Sequence, residues 1–156
     1  MTRLKTFIIA FLIVVTSCNF NDRKSFSLTV KHYGGGAGIT IIYSLDENGL
    51  QVDTNCDLAN CKQETVYKRT FTNAESDSIL KVLNSLKLDT LKKSYQYQGH
   101  YDDGLYTEIK MKHGFFSSHK STFDNFATPT TDTLFAFIDK LVIERKYTFA
   151  KWGQDE

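Results

Sequence analysis

Side chains able to do chemistry are scattered through the 156 residues, and their spacing decides which chemistry is open to them. His32, His100, His113 and His119, with Asp102, Asp103 and Asp124, are the metal-ligating types. His113 and His119 fall on one predicted hairpin, but six residues apart, with one at the turn, they do not aim at a common ion. The segment His100-Tyr101-Asp102-Asp103-Gly104 carries hard oxygen ligands yet lacks the repeated acids and closing glutamate of a calcium loop. A solvated Asp-Asp-Gly turn fits it better. The run Gly34-Gly35-Gly36-Ala37-Gly38-Ile39-Thr40 offers backbone amides to an anion. No Gly-Lys-Ser/Thr follows it, and it joins two predicted strands where a phosphate loop would open a helix. It reads as a hairpin tip or bulge, with a backbone-rich contact surface as the alternative.

For nucleophilic or acid–base catalysis no serine stands in G-x-S-x-G and no carboxylate pair is singled out by spacing. The expectation is therefore a non-catalytic protein with no metal and no cofactor; an enzyme whose acids converge from distant positions is the third-ranked reading. One segment argues for binding. Tyr95, Tyr97, Tyr101 and Tyr106 crowd a glycine-punctuated stretch, interleaved with Gln, His and Asp. Tyrosines in loops give large contact area with a polar tip, as interface anchors do. Together with Asp102 and Asp103, and with Gly34, Gly35 and Gly36 of the glycine run, they form the candidate partner-binding set. Packing over a sheet edge is the competing reading for the tyrosines.

The compartment is set by residues 1–18. Arg3 and Lys5 lead, residues 7–15 are an unbroken apolar run, and Thr16 and Ser17 precede Cys18. Nine apolar residues fall far short of the roughly 20 that span a bilayer, so the segment reads as a secretory signal. A buried N-terminal element of the fold is one alternative, and ordinary signal cleavage with Cys18 as a bystander is the other. Val15-Thr16-Ser17-Cys18 resembles the lipobox of bacterial lipoproteins. That resemblance implies removal of residues 1–17 and lipidation of Cys18, with a diacylglycerol on the thiol and an acyl chain on the amine. Several chains at about 0.8 kcal/mol per methylene anchor durably where one is marginal. It further implies a cell-envelope location, with the outer membrane on its periplasmic side favoured. Residues 18–25 then form the lipidated cysteine and its tether, residues 26–150 a single domain and residues 151–156 a polar tail.

Losing Arg3 and Lys5 with the signal leaves 17 Lys+Arg against 18 Asp+Glu, a formal charge of −1. No nucleic-acid partner is implied, because phosphate neutralisation needs a net basic surface. The expected partners are the membrane, through the lipid, and a protein whose identity the residues do not give. With Cys18 assigned to lipid, Cys56 and Cys61 are an even pair in a compartment that permits disulfides, and a bridge between them is expected. Closing so short a ring contributes about 2 kcal/mol at most. Metal ligation by the pair is the alternative.

Positioning these residues falls to a predicted α+β fold. Period-two alternation marks strands at 25–33, 39–45, 50–54, 64–71, 105–112 and 115–122. Asp46-Glu47-Asn48-Gly49 supplies a turn of residues that tolerate positive φ, and Gly114 another. Thr72-Asn73-Ala74-Glu75 is a capping box opening a helix over 73–87. Pro129-Thr130-Thr131-Asp132 opens a second with a threonine cap, and Arg145 and Lys146 complement its C-terminal end. The order ββββ-α-ββ-α predicts an antiparallel sheet with both amphipathic helices packed on one face.

Residues 31–40, KHYGGGAGIT, resemble the glycine-rich first hairpin of emfourin-type inhibitors of thermolysin-like metallopeptidases, and the later order of elements is similar in layout. The resemblance implies an envelope-facing protein that blocks a peptidase. A lipid anchor, a disulfide loop and an added strand pair are departures from that pattern, so no inhibitory residue carries over.

Overall fold

A computed structural model of the protein describes residues 25–33, 38–56, 62–98, 105–114 and 117–149. The signal segment, Cys18, residues 19–24, Gly34, Gly35, Gly36, Cys61, His100, Tyr101, Asp102, Asp103, Phe115 and the 151–156 tail lie outside the described residues. Alternating side chains build the strands β1 (Phe26–Tyr33), β2 (Ile39–Asp46), β3 (Gly49–Cys56) and β4 (Glu64–Thr70), followed by helix α1 (Asn73–Ser85). A three-residue strand β5 (Ser94–Gln96), then β6 (Tyr106–His113), β7 (Ser117–Asp124) and helix α2 (Pro129–Leu141) complete the order.

The strands form one seven-stranded sheet in the order β4-β3-β2-β1-β6-β7-β5. All neighbours are antiparallel except β5, which runs parallel to β7. The expected α+β class and the order of its main elements are therefore found, but the wholly antiparallel, six-stranded sheet is corrected to a mixed one. Ser94–Gln96 escaped sequence reading because three residues are too few to show a period.

One face of every long strand supplies the core. Leu28, Val30, Tyr43, Leu45, Leu50, Val52, Ile109 and Phe123 are buried there with Ile79 and Leu83 of α1 and Leu134 and Ile138 of α2. Arg69 ties both helices to this same face: its Nη2 lies 2.7 Å from the Glu75 carboxylate of α1, and its Nη1 donates to the Leu141 carbonyl of α2 at 3.0 Å. The Thr72–Glu75 capping box opens α1 as expected. Hydrogen bonds from the Thr72 backbone and hydroxyl, with the nearby Arg69 guanidinium, hold the Glu75 carboxyl below its ordinary range. The cap of α2 is Thr128, one residue before Pro129, paired with Thr131. Arg145 and Lys146 do not finish that helix, which ends at Leu141; they lie in a short 3-10 turn, Arg145–Tyr147.

The β2–β3 turn differs in mechanism from the expectation. Among the described residues positive φ occurs at Gly38, Lys87, Gly114 and Asn125, and not at Asn48 or Gly49. Instead the Asp46 carboxylate accepts from the backbone N–H groups of Asn48 (2.7 Å) and Gly49 (3.0 Å), an Asx turn. Gly49 is required for another reason: a Cβ there would collide with the Arg69 carbonyl oxygen on β4. Gly49→Ala is expected to destabilise the fold by about 1–3 kcal/mol, the usual range for overpacking, as a lowered urea midpoint at unchanged slope.

Candidate interaction surface at one end of the sheet

Register decides which loops share a surface. β1 pairs Tyr33 with Thr40 of β2 on one side and with Tyr106 of β6 on the other. Ile39 pairs with Cys56, and Tyr106 with Asp124. The described residues that flank segments 34–37, 57–61 and 99–104, together with the β7–α2 connection, therefore all lie at one end of the sheet. The glycine-rich and tyrosine-rich candidates, far apart in sequence, are flanked by neighbours in space.

The exposed apolar side chains gather at this end. Ile39 (38 %), Tyr97 (52 %), Leu105 (49 %) and Phe126 (44 %) retain large accessible fractions. The fifth large exposed hydrophobic among the described residues, Ile143, lies beyond α2 against β4, where its N–H donates to the Tyr67 hydroxyl. Two of the four, Phe126 and Leu105, rest on a braced frame. Tyr95 stacks between Phe123 (4.7 Å between centroids) and Phe126 (5.6 Å), and its hydroxyl accepts from the Lys92 N–H at 3.0 Å. Tyr95 is thus a support for Phe126, the packing role foreseen as the alternative. Asn125, in the left-handed region at φ 46°, donates its backbone N–H to the Leu105 carbonyl (2.8 Å), while its side-chain oxygen accepts from the Leu105 N–H (2.7 Å). Asparagine tolerates that conformation better than most residues, and the clamp fixes where β6 begins.

On the sheet face turned away from the helices, Tyr33 and Tyr106 stack at 4.6 Å with ring planes 21° apart. Burial, the Tyr106 hydroxyl and the Glu108 carboxylate push the Tyr33 hydroxyl up to about 12, so it stays neutral and can donate at physiological pH. On the core face His32 Nδ1 lies 2.8 Å from Thr107 Oγ1, and Phe149 meets the imidazole edge-on at 6.0 Å. Phe149 also stacks on Tyr43 and Phe135, and the Tyr43 hydroxyl donates to the Tyr147 carbonyl at 2.9 Å. These contacts dock the segment after α2 beneath the same sheet end.

Of the candidate set, Tyr95, Tyr97 and Tyr106 are therefore brought to one end, while Gly34, Gly35, Gly36, Tyr101, Asp102 and Asp103 lie outside the described residues. Ile39, Leu105, Phe126 and Tyr33 escaped the sequence reading; an apolar residue immediately beside a glycine run or a predicted loop was the available signal. Among the described residues no three His, Cys, Asp or Glu side chains gather as a metal site, and no helix is long and apolar enough to cross a membrane. His119 Nε2 instead lies 3.1 Å from Ser121 Oγ. Compared with protein-family models, curated proteins and solved structures, the chain matches none.

Burial lowers the His32 pKa from its ordinary value of 6.5. The unfolded chain thus binds a proton more readily than the folded one below pH 6.5, so stability is lost as pH falls through that value. Thermal melts at pH 7.5 and 5.0 should show a drop that His32→Gln reduces; an unchanged drop would place its source elsewhere.

Proposed function

We propose that the protein is a lipid-anchored lipoprotein of the bacterial cell envelope, held in the membrane through Cys18, that binds a protein or other envelope component without catalysis. Binding uses the loop end of the sheet. The observation carrying this reading is the gathering of Ile39, Tyr97, Leu105 and Phe126, four exposed apolar side chains, at the end where the candidate loops are flanked. Several large apolar side chains kept in water at one end of a fold are a usual mark of an interaction site. The brace of Tyr95 and Asn125 supports it, since a preorganised surface loses less entropy on binding.

Geometry favours a partner away from the anchoring bilayer. β1 leaves residue 25 at Phe26 and reaches the loop end at Tyr33, about 25 Å further on at about 3.3 Å per residue. A tether joined to Phe26 attaches at the opposite end of the strand from the binding loops.

The test combines two readouts on the full chain in its envelope. An alkyne-tagged fatty acid should label the protein and fail to label Cys18→Ala. A photoreactive amino acid replacing Tyr97 or Phe126 should give a discrete cross-linked adduct, whereas the same group replacing the exposed Lys81 of α1 should not. Adducts at neither end position, or equal adducts at Lys81, would remove the loop-end reading even with the lipid in place.

The second reading, an emfourin-like peptidase inhibitor, is supported by one observation: β1 and β2 pair from Tyr33 and Thr40, so KHYGGGAGIT spans a hairpin. It predicts stoichiometric slowing of a thermolysin-like peptidase.

A further inference from the structure

We propose that the open half of the β7 edge is a strand-addition site for an extended acidic peptide. This surface is separate from the loop end and does not rest on the lipid anchor. β7 runs for eight residues, but β5 covers only Thr122, Phe123 and Asp124. Thr122 donates its N–H to the Lys93 carbonyl at 3.0 Å, and the Asp124 carbonyl accepts from the Tyr97 N–H at 3.1 Å. Even-numbered residues of β7 therefore turn their backbone groups towards the edge. By the two-residue period of a strand Ser118 and Lys120 do the same, and among the described residues nothing pairs with them from that side.

Two of the usual edge guards, proline and a bulge, are missing here, although the 3-10 turn Leu88–Thr90 lies close to β7 and leaves only Ser117, Ser118 and Lys120 of the strand exposed beside it. Proline and a bulge are absent from the β6–β7 pairing, which runs without a shift from Tyr106 to His113. Lysine often protects an edge, but the Lys120 ammonium reaches inward over β6 to the Glu108 carboxylate at 2.7 Å. Ser117 and Ser118 are small and exposed, so an incoming strand meets little obstruction.

Charge selects the occupant. Lys110 lies directly opposite Lys120 and Lys112 opposite Ser118; like charges facing each other across strands cost stability unless something offsets them. Lys93 stands at the β5 side of the gap. Beside His113, the partner of Ser117, a cavity of about 320 Å³ is lined by Leu83, Leu88, Lys87 and Asp89. Five lysines thus border this half of the strand, while the carboxylates there are Glu108, engaged by Lys120, and Asp89. An extended segment with alternate acidic side chains would satisfy the edge amides and carbonyls and neutralise the lysines, with room for an intervening side chain in the cavity. Pairing of two copies edge to edge would bring their lysines together, which disfavours self-association.

Hydrogen exchange of the full chain, read by mass spectrometry, tests this with an eight-residue capped peptide of alternating Glu and Val. The amides of Ser118 and Lys120 should exchange at least tenfold more slowly with it. A Lys-for-Glu peptide, or the Lys110→Glu/Lys112→Glu variant, should weaken the effect at least tenfold. Ser118→Pro, which removes an outward N–H while leaving the β6 ladder intact, should do the same. A probe N-methylated at alternate residues needs no change in the protein and should also fail to protect. No protection at millimolar peptide, equal binding of plain and N-methylated probes, or concentration-dependent protection without peptide would each overturn the proposal, the last by showing a second copy in the slot.

Discussion

The ladder between β1 and β6 is the constraint on which the rest depends. It joins residues about eighty positions apart, from Phe26 with His113 to Tyr33 with Tyr106, and it sets β1 in the middle of the sheet. Because side chains alternate strictly, a slip of one residue here would carry Leu28 and Val30 from the core to the solvent face. Burial of those two side chains, with Ile109 and Met111 opposite, therefore locks the register. The same register brings the flanks of the glycine-rich and tyrosine-rich segments together. Core packing and surface composition are two consequences of one pairing.

The helices answer to a second constraint, the charge of Arg69. Its guanidinium sits on the core side of the edge strand β4, opposite Leu50, where an unpaired cation would be costly. The Glu75 carboxylate at the start of α1 and the Leu141 carbonyl at the end of α2 satisfy it. One side chain thus fixes a helix start and a helix end against the same strand. Beyond α2 the aromatic contacts of Tyr147 and Phe149 with Tyr67, Tyr43 and His32 bring the chain back over the sheet.

Legibility followed the range of the interaction. The Thr72–Glu75 box could be read because both partners lie within one turn, and the alternation of β1 because burial repeats every second residue. β5 could not, since its pairing partner is Thr122 to Asp124, nearly thirty residues away, and its own letters are polar. Asp46 misled because its turn uses the side chain as acceptor, where the letters Asn-Gly suggest positive φ. Tyr95 and Tyr97 look alike in a sequence two residues apart. Only the stack on Phe123 and Phe126 makes the first a brace, while the second stays half exposed.

By itself the sequence determined the six long strands and two helices, the helix-opening caps and the resemblance of residues 1–18 to a lipoprotein signal. Each is written in neighbouring residues. Tertiary structure alone decided the sheet order, the parallel β5, the meeting of loop flanks at one end and the uncovered half of β7. All of these depend on which strands pair, and pairing is chosen by the joint burial of side chains from the whole chain, a global free-energy difference that no local pattern records.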